Sequence, residues 1–174
     1  MKRRVLMVAL SLMLPACYEF DFPLDAEPTL ANDARLLGRW RCLAIQGDGE
    51  DDVSTVSVVA ETPRKTRWSW TEAASDGAKT TGGYVAFGST VAGRSLLNFK
   101  ELNKDAGGKW SFVRYEFLTP EILHLRAIDD KPFKNATMAA TFRAAAEKRI
   151  DDPAIYLDLL VCARVKKEDE KSGR

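Results

Sequence analysis

Residues 109–128 read KWSFVRYEFLTPEILHLRAI. Val113, Tyr115 and Phe117 fall on alternate positions. After Thr119-Pro120-Glu121, Leu123, Leu125 and Ala127 repeat the alternation. A period of two puts successive side chains on opposite faces of a strand, whereas a helix would need apolar residues three and four apart. The stretch is therefore read as two antiparallel strands, Lys109–Leu118 and Glu121–Ile128, with Arg114, Glu116 and His124 on the face turned from the core. Asp105-Ala106-Gly107-Gly108 just ahead is a hairpin turn signal.

Working back toward the N-terminus, the same pattern recurs between turn residues. Leu36–Gln46 carries Leu36, Gly38, Trp40, Cys42 and Ala44 on one face, with Arg39 and Arg41 opposite. Val53–Glu61 aligns Val56, Val58 and Ala60; Thr66–Glu72 aligns Trp68 and Trp70. Gly83–Thr90 aligns Val85 and Phe87, and Arg94–Glu101 aligns Leu97 and Phe99. Working forward, Ala136–Arg149 changes to helical spacing, with Met138, Phe142, Ala145 and Arg149 on one side and Asn135 or Thr137 as its cap. An eighth strand, Ile155–Val165, follows. Its odd positions are all apolar, and its even face carries Tyr156, Asp158 and Arg164, so the odd face is expected in the core.

The expected fold is mainly β: an antiparallel eight-stranded meander barrel with one α-helix before the last strand. Closing the sheet removes its exposed edges. The alternative is an open sheet or β-sandwich with a covering helix. Gly38-Arg39-Trp40 resembles the Gly-x-Trp signature of lipocalin-like barrels. The resemblance implies that Trp40 plugs the closed end, that Gly38 lets it pack, and that Arg164 on the last strand covers the indole. The chain departs from that family in two places. Thr119-Pro120-Glu121 stands where Thr-Asp-Tyr is usual, and the helix precedes the last strand instead of following it.

The N-terminus sets the compartment. Lys2, Arg3 and Arg4 precede the uncharged Val5–Leu14, as in a secretory signal peptide. Val5 to Ala16 is short of the ~20 apolar residues a spanning helix needs. Leu14-Pro15-Ala16-Cys17 resembles the lipobox of bacterial lipoproteins. This implies cleavage before Cys17 and lipid on its sulfur and amine, with Pro15 an uncommon occupant of its place. Tyr18, where an Asp would favour inner-membrane retention, points to the outer membrane, facing the periplasm; the alternatives are the periplasmic face of the inner membrane or secretion. The implied organisation is a signal peptide over 1–16, a lipidated Cys and flexible acidic tether over 17–34, a barrel domain over 35–166, and a disordered tail over 167–174.

Residues 1–16 hold three of the 26 basic residues and none of the 25 acidic ones, leaving a slight acidic excess and no footprint for nucleic acid. Setting Cys17 aside, Cys42 and Cys162 remain, and an oxidising compartment suggests that they pair. Alternation opposes this. Cys42 shares the inward face of Trp40, while Cys162 sits with Asp158 and Arg164 on the face expected outside. Either a bulge shifts one strand, or Trp40 is not inward, or the two cysteines are buried free thiols.

Residues with chemistry are sparse. His124, the single histidine, reads as a surface residue without a neighbouring nucleophile, so no catalytic residue and no enzymatic role is expected. One histidine gives no zinc site, and the acids Asp48, Glu50, Asp51 and Asp52 lack the spacing of a calcium loop, so no metal or cofactor is expected. Trp68, Trp70, Arg114 and Glu116 are candidate ligand-binding residues should their faces line an interior. The expected partners are a membrane, through the lipid anchor, and either an envelope protein or a small apolar ligand. The expected function is that of a structural or protein-interaction module, with lipocalin-like binding of an apolar or amphipathic ligand as the alternative.

Overall fold

A computed structural model describes residues 19–45, 53–73, 79–102 and 108–166. Cys17, the signal peptide expected over 1–16, the Asp48–Asp52 cluster and the tail expected over 167–174 lie outside the described residues. Eight antiparallel strands form a closed barrel in sequence order: β1 (Gly38–Ala44), β2 (Val53–Thr62), β3 (Lys65–Ala73), β4 (Lys79–Val91), β5 (Arg94–Glu101), β6 (Trp110–Thr119), β7 (Ile122–Ile128) and β8 (Tyr156–Arg164). Pairing of β1 with β8, from Trp40–Arg164 to Ala44–Leu160, closes the seam. The single α-helix among the described residues, α1 (Ala139–Ala146), precedes β8. Among the described residues no helix is long and apolar enough to cross a membrane.

Two apolar cores hold the molecule together, one on each side of the wall. Inside lie Leu36, Trp40, Cys42, Val56, Val58, Trp68, Ala86, Leu97, Phe99, Val113, Leu123, Leu125 and Cys162. Outside, over β5–β8, Phe20, Leu24, Leu96, Phe112, Ile128, Phe142, Ala146, Ile150 and Ile155 form a second cluster under α1 and the N-terminal segment. Strands covered on both sides are apolar on both faces, and there alternation does not tell inside from outside. This corrects the reading of β4: Tyr84 and Ala86 line the interior, while Phe87 is buried on the outer side against Trp110.

The last strand needs a second correction. Leu125 pairs with Leu160, but Arg126 pairs with Asp158, so Leu159 is an extra residue in β8. Such a bulge shifts the alternation by one. Beyond it the even positions Leu160, Cys162 and Arg164 turn inward, and Ala163 is exposed. The even face, not the odd, is thus the core face over the C-terminal half of β8.

The helix is shorter than expected, and its buried face differs by one position. Phe142, Ala146 and Ile150, spaced by four, are buried, whereas Met138 is 55% exposed. The cap is Met138, not Asn135 or Thr137; its N–H donates to the Thr141 hydroxyl, which donates in turn to its carbonyl.

The segment expected to be a flexible tether is a strap bound to the outer wall. Phe20 exchanges both backbone hydrogen bonds with Trp110 (2.7 and 2.8 Å), is 5% exposed, and stacks on Phe112 at 4.4 Å. The Leu24 N–H donates to Asn98 Oδ1 at 2.7 Å. Arg143 of α1 clips the strap by donating to the Leu24 carbonyl (3.1 Å) and to Asp25. Leu30 packs over Gly88, and Asn32 caps the β2–β3 turn by donating to the Thr62 and Lys65 carbonyls. In sequence, Tyr18, Phe20, Phe22 and Leu24 alternate with Glu19, Asp21, Pro23 and Asp25. That strand-like signal was available under the acidic composition.

Asn98 is the polar pivot of the strap. It is fully buried, and its Nδ2 donates to the Phe87 carbonyl and the Ser89 hydroxyl (3.1 and 2.8 Å). Asn98→Ala leaves the Leu24 N–H without its acceptor, a cost of about 1–3 kcal/mol. The expected result is a stability loss of that size with accelerated hydrogen exchange at the Leu24 amide. Unchanged exchange at Leu24 would show that the strap does not depend on this bond.

Candidate functional site

The closed end of the barrel is built around Trp40. The turn Ala34–Leu36 lays Leu36 across the opening, and Trp40 Nε1 donates to the Leu36 carbonyl at 2.9 Å. Trp40 is fully buried, as an indole that has found its one acceptor is able to be. Arg164 lies over the ring, its Cζ 4.2 Å from the ring centroid, and donates to the Leu37 and Arg35 carbonyls. A cation over an indole is held by the ring quadrupole, most strongly when shielded from water.

Gly38 makes this approach fit. Its φ is +124°, a region that L residues rarely adopt, and a Cβ there would stand 3.1 Å from Arg164 Nη1. The structure therefore brings Gly38, Trp40 and Arg164 together in one assembly.

The rim of that end is polar. Asp33 accepts from Arg35 Nε and Nη2 (3.0 and 2.7 Å), Tyr115 Oη donates to Asp33 Oδ2 (3.3 Å), and Arg35 sits over Phe117 at 4.7 Å. The hydrogen-bonded Arg35 guanidinium holds the Asp33 carboxyl below its ordinary range. Burial, reinforced by the Asp33 charge, pushes the Tyr115 phenol up to about 12.

The two shifts act at opposite ends of the pH scale. A depressed carboxyl contributes stability above the unfolded value, 3.8, that is lost as pH falls through the lower folded value. A raised phenol contributes stability below 10 that is lost as pH rises through about 12. Asp33→Asn is expected to flatten the acid limb of unfolding free energy against pH, and Tyr115→Phe the alkaline limb. Limbs unchanged in both variants would remove this rim from the account of pH stability.

The Cys42 and Cys162 sulfurs are 2.08 Å apart, a disulfide across the β1–β8 seam. Of the three readings open from sequence, the bulge is the one realised: Leu159 turns Cys162 to the inner face that Cys42 already occupies.

Trp68 and Trp70 are inward, and Arg114 and Glu116 outward, so the four do not share a site. Trp68 is 1% exposed, donates to Thr66 Oγ1 at 2.9 Å and meets Phe99 edge to face at 4.9 Å. Trp70, half-buried toward the other end of the barrel, stacks on Trp68 (6.1 Å) and meets Tyr84 at 5.2 Å. Arg114 donates to the Ile150 carbonyl at 3.2 Å behind α1, and Glu116 pairs with Arg126 at 3.3 Å on the outer surface. These two are fastenings of the outer wall.

His124 also faces outward, between Glu116 and Val161 in the register. Its Nε2 lies 2.9 Å from Asp158 Oδ1 but makes no hydrogen bond there. No nucleophile stands among its cross-strand partners. Among the described residues no three His, Cys, Asp or Glu side chains gather as a metal site. Comparison of the chain with protein-family models, curated proteins and solved structures finds no match.

Proposed function

We propose that this chain is a lipoprotein anchored through Cys17 to the periplasmic face of the outer membrane, and that its barrel acts there as a structural or protein-interaction module. The observation that carries this reading is the occupancy of the barrel interior. An eight-stranded barrel is about wide enough for its own side chains or for one small ligand. Here Trp40, Trp68, Leu97, Phe99, Leu123 and Leu125 occupy it, and Trp68 already has its hydrogen-bond and ring partners inside the wall. Recognition is then left to the outer surface. The reading assigns the chain no reaction.

The test has two parts. Full-length protein expressed in a bacterial envelope should take up a palmitate analogue and lose it on Cys17→Ala. In-cell crosslinking should then give a reproducible protein adduct, and the native mass spectrum of purified protein should show no lipid beyond the acyl chains on Cys17. A co-purified apolar molecule whose binding shifts Trp70 fluorescence would turn the reading to ligand binding. The half-buried Trp70–Tyr84 pair favours that second reading.

A further inference from the structure

We infer that the barrel lies directly on the lipid surface, and that it does so through the outer face carrying Phe22, Lys100, Leu102, Lys109 and Trp110. This rests on the lipidation of Cys17 proposed above. The argument starts from chain length. A free tether of residues 17–34 would let the domain wander by about 23 Å from its anchor. The strap removes that freedom, because Phe20 is locked by both backbone hydrogen bonds to Trp110 and buried against Phe112 and Phe142. Phe20 stands three positions after Cys17, and an extended chain covers at most about 11 Å over that step. Acyl chains on Cys17 therefore draw the bilayer to within that distance of the wall at Trp110.

The chemistry of the wall there suits a headgroup layer. Trp110 and Phe22 are half-buried aromatics, and tryptophan favours the level where apolar and wet regions meet. Lys100, the register partner of Trp110, holds its Nζ 5.3 Å from the indole centroid. Lys109 is half-exposed and pairs with Asp21 at 3.2 Å. Leu102, just past the end of β5, is exposed although apolar, and its N–H donates to the Gly83 carbonyl. Lys100 over the indole and Lys109 beside it are the cations that anionic headgroups attract, and with Trp110, Phe22 and Leu102 they make an interfacial patch.

The test uses full-length protein in native membranes, with a benzophenone amino acid placed either at Leu102 or at Leu118. Leu118 is also exposed and apolar, but lies eight residues along β6 from Trp110, about 26 Å away at the closed end. An intact disulfide in each variant checks folding. The expected result is several-fold more phospholipid adduct from position 102 than from 118. Equal labelling, or more from 118, in protein that carries the palmitate label would overturn the proposed face while leaving the anchor in place. Protein with no palmitate label and no membrane association would overturn both. A protein adduct replacing lipid at position 102 would show that this face is a protein interface instead.

Discussion

Cys42→Ala combined with Cys162→Ala is expected to lower the unfolding free energy by about 4–5 kcal/mol. The bond joins residues 120 apart in sequence, and the loop it closes contains nearly the whole barrel. In the chain-entropy account, a loop of that size removes about 5 kcal/mol of disorder from the unfolded ensemble. The geometry gives a second reason for a large effect. The disulfide sits in the β1–β8 seam, where the first and last strands meet and no short turn holds them in register. Every other neighbouring pair consists of strands consecutive in sequence. Urea unfolding followed by tryptophan fluorescence measures the loss, and wild-type protein under reductant should approach the variant. A loss below about 1 kcal/mol would mean that packing alone holds the seam.

Trp40→Ala is expected to cost about 3–5 kcal/mol, the range for deleting a buried large aromatic. Trp40 fills the closed end, and its removal also strips the Leu36 carbonyl of its indole donor and Arg164 of the ring beneath it. The cation–ring contribution can be separated from cavity formation by a double-mutant cycle of Trp40→Leu with Arg164→Met. A coupling of about 1–2 kcal/mol is expected for a shielded contact. Independent, additive losses would show that Arg164 acts through its bonds to the Leu37 and Arg35 carbonyls and not through the ring. The unfolding transition remains visible through Trp68, Trp70 and Trp110.

Much of the barrel was legible one residue at a time. Arg94–Glu101 forms with the bounds read from sequence, and β2, β3, β6 and β7 begin and end within a residue of the expected positions. Alternation succeeded where a strand has one apolar face, as in β1, with Trp40 and Cys42 buried and Arg39 and Arg41 exposed. It failed for β4, where Phe87 packs outward beneath material contributed by distant parts of the chain. It also failed in β8, because Leu159 is as apolar as its neighbours and nothing local distinguishes an extra residue from a paired one.

The candidate site was legible in the same uneven way. Gly38, Trp40 and Arg164 were nameable because a short motif and a position on the last strand identify them. Asn98, Arg143 and Tyr115 were not, since Leu24 and Asp33 reach them only across the fold; the Asp33–Arg35 pair, two residues apart, is local.

By itself the sequence determined the number, order and period of the strands, the helix before the last of them, and two cysteines with a reason to meet. These follow from side-chain polarity and turn chemistry, which act over a few residues. Only the tertiary structure decided that residues 19–33 are a strap and not a tether, that the wall over β5–β8 is buried on both sides, and that a single bulge brings Cys162 to face Cys42. Those outcomes depend on which surfaces are brought against one another. That is a property of closure, and no window of neighbouring residues contains it.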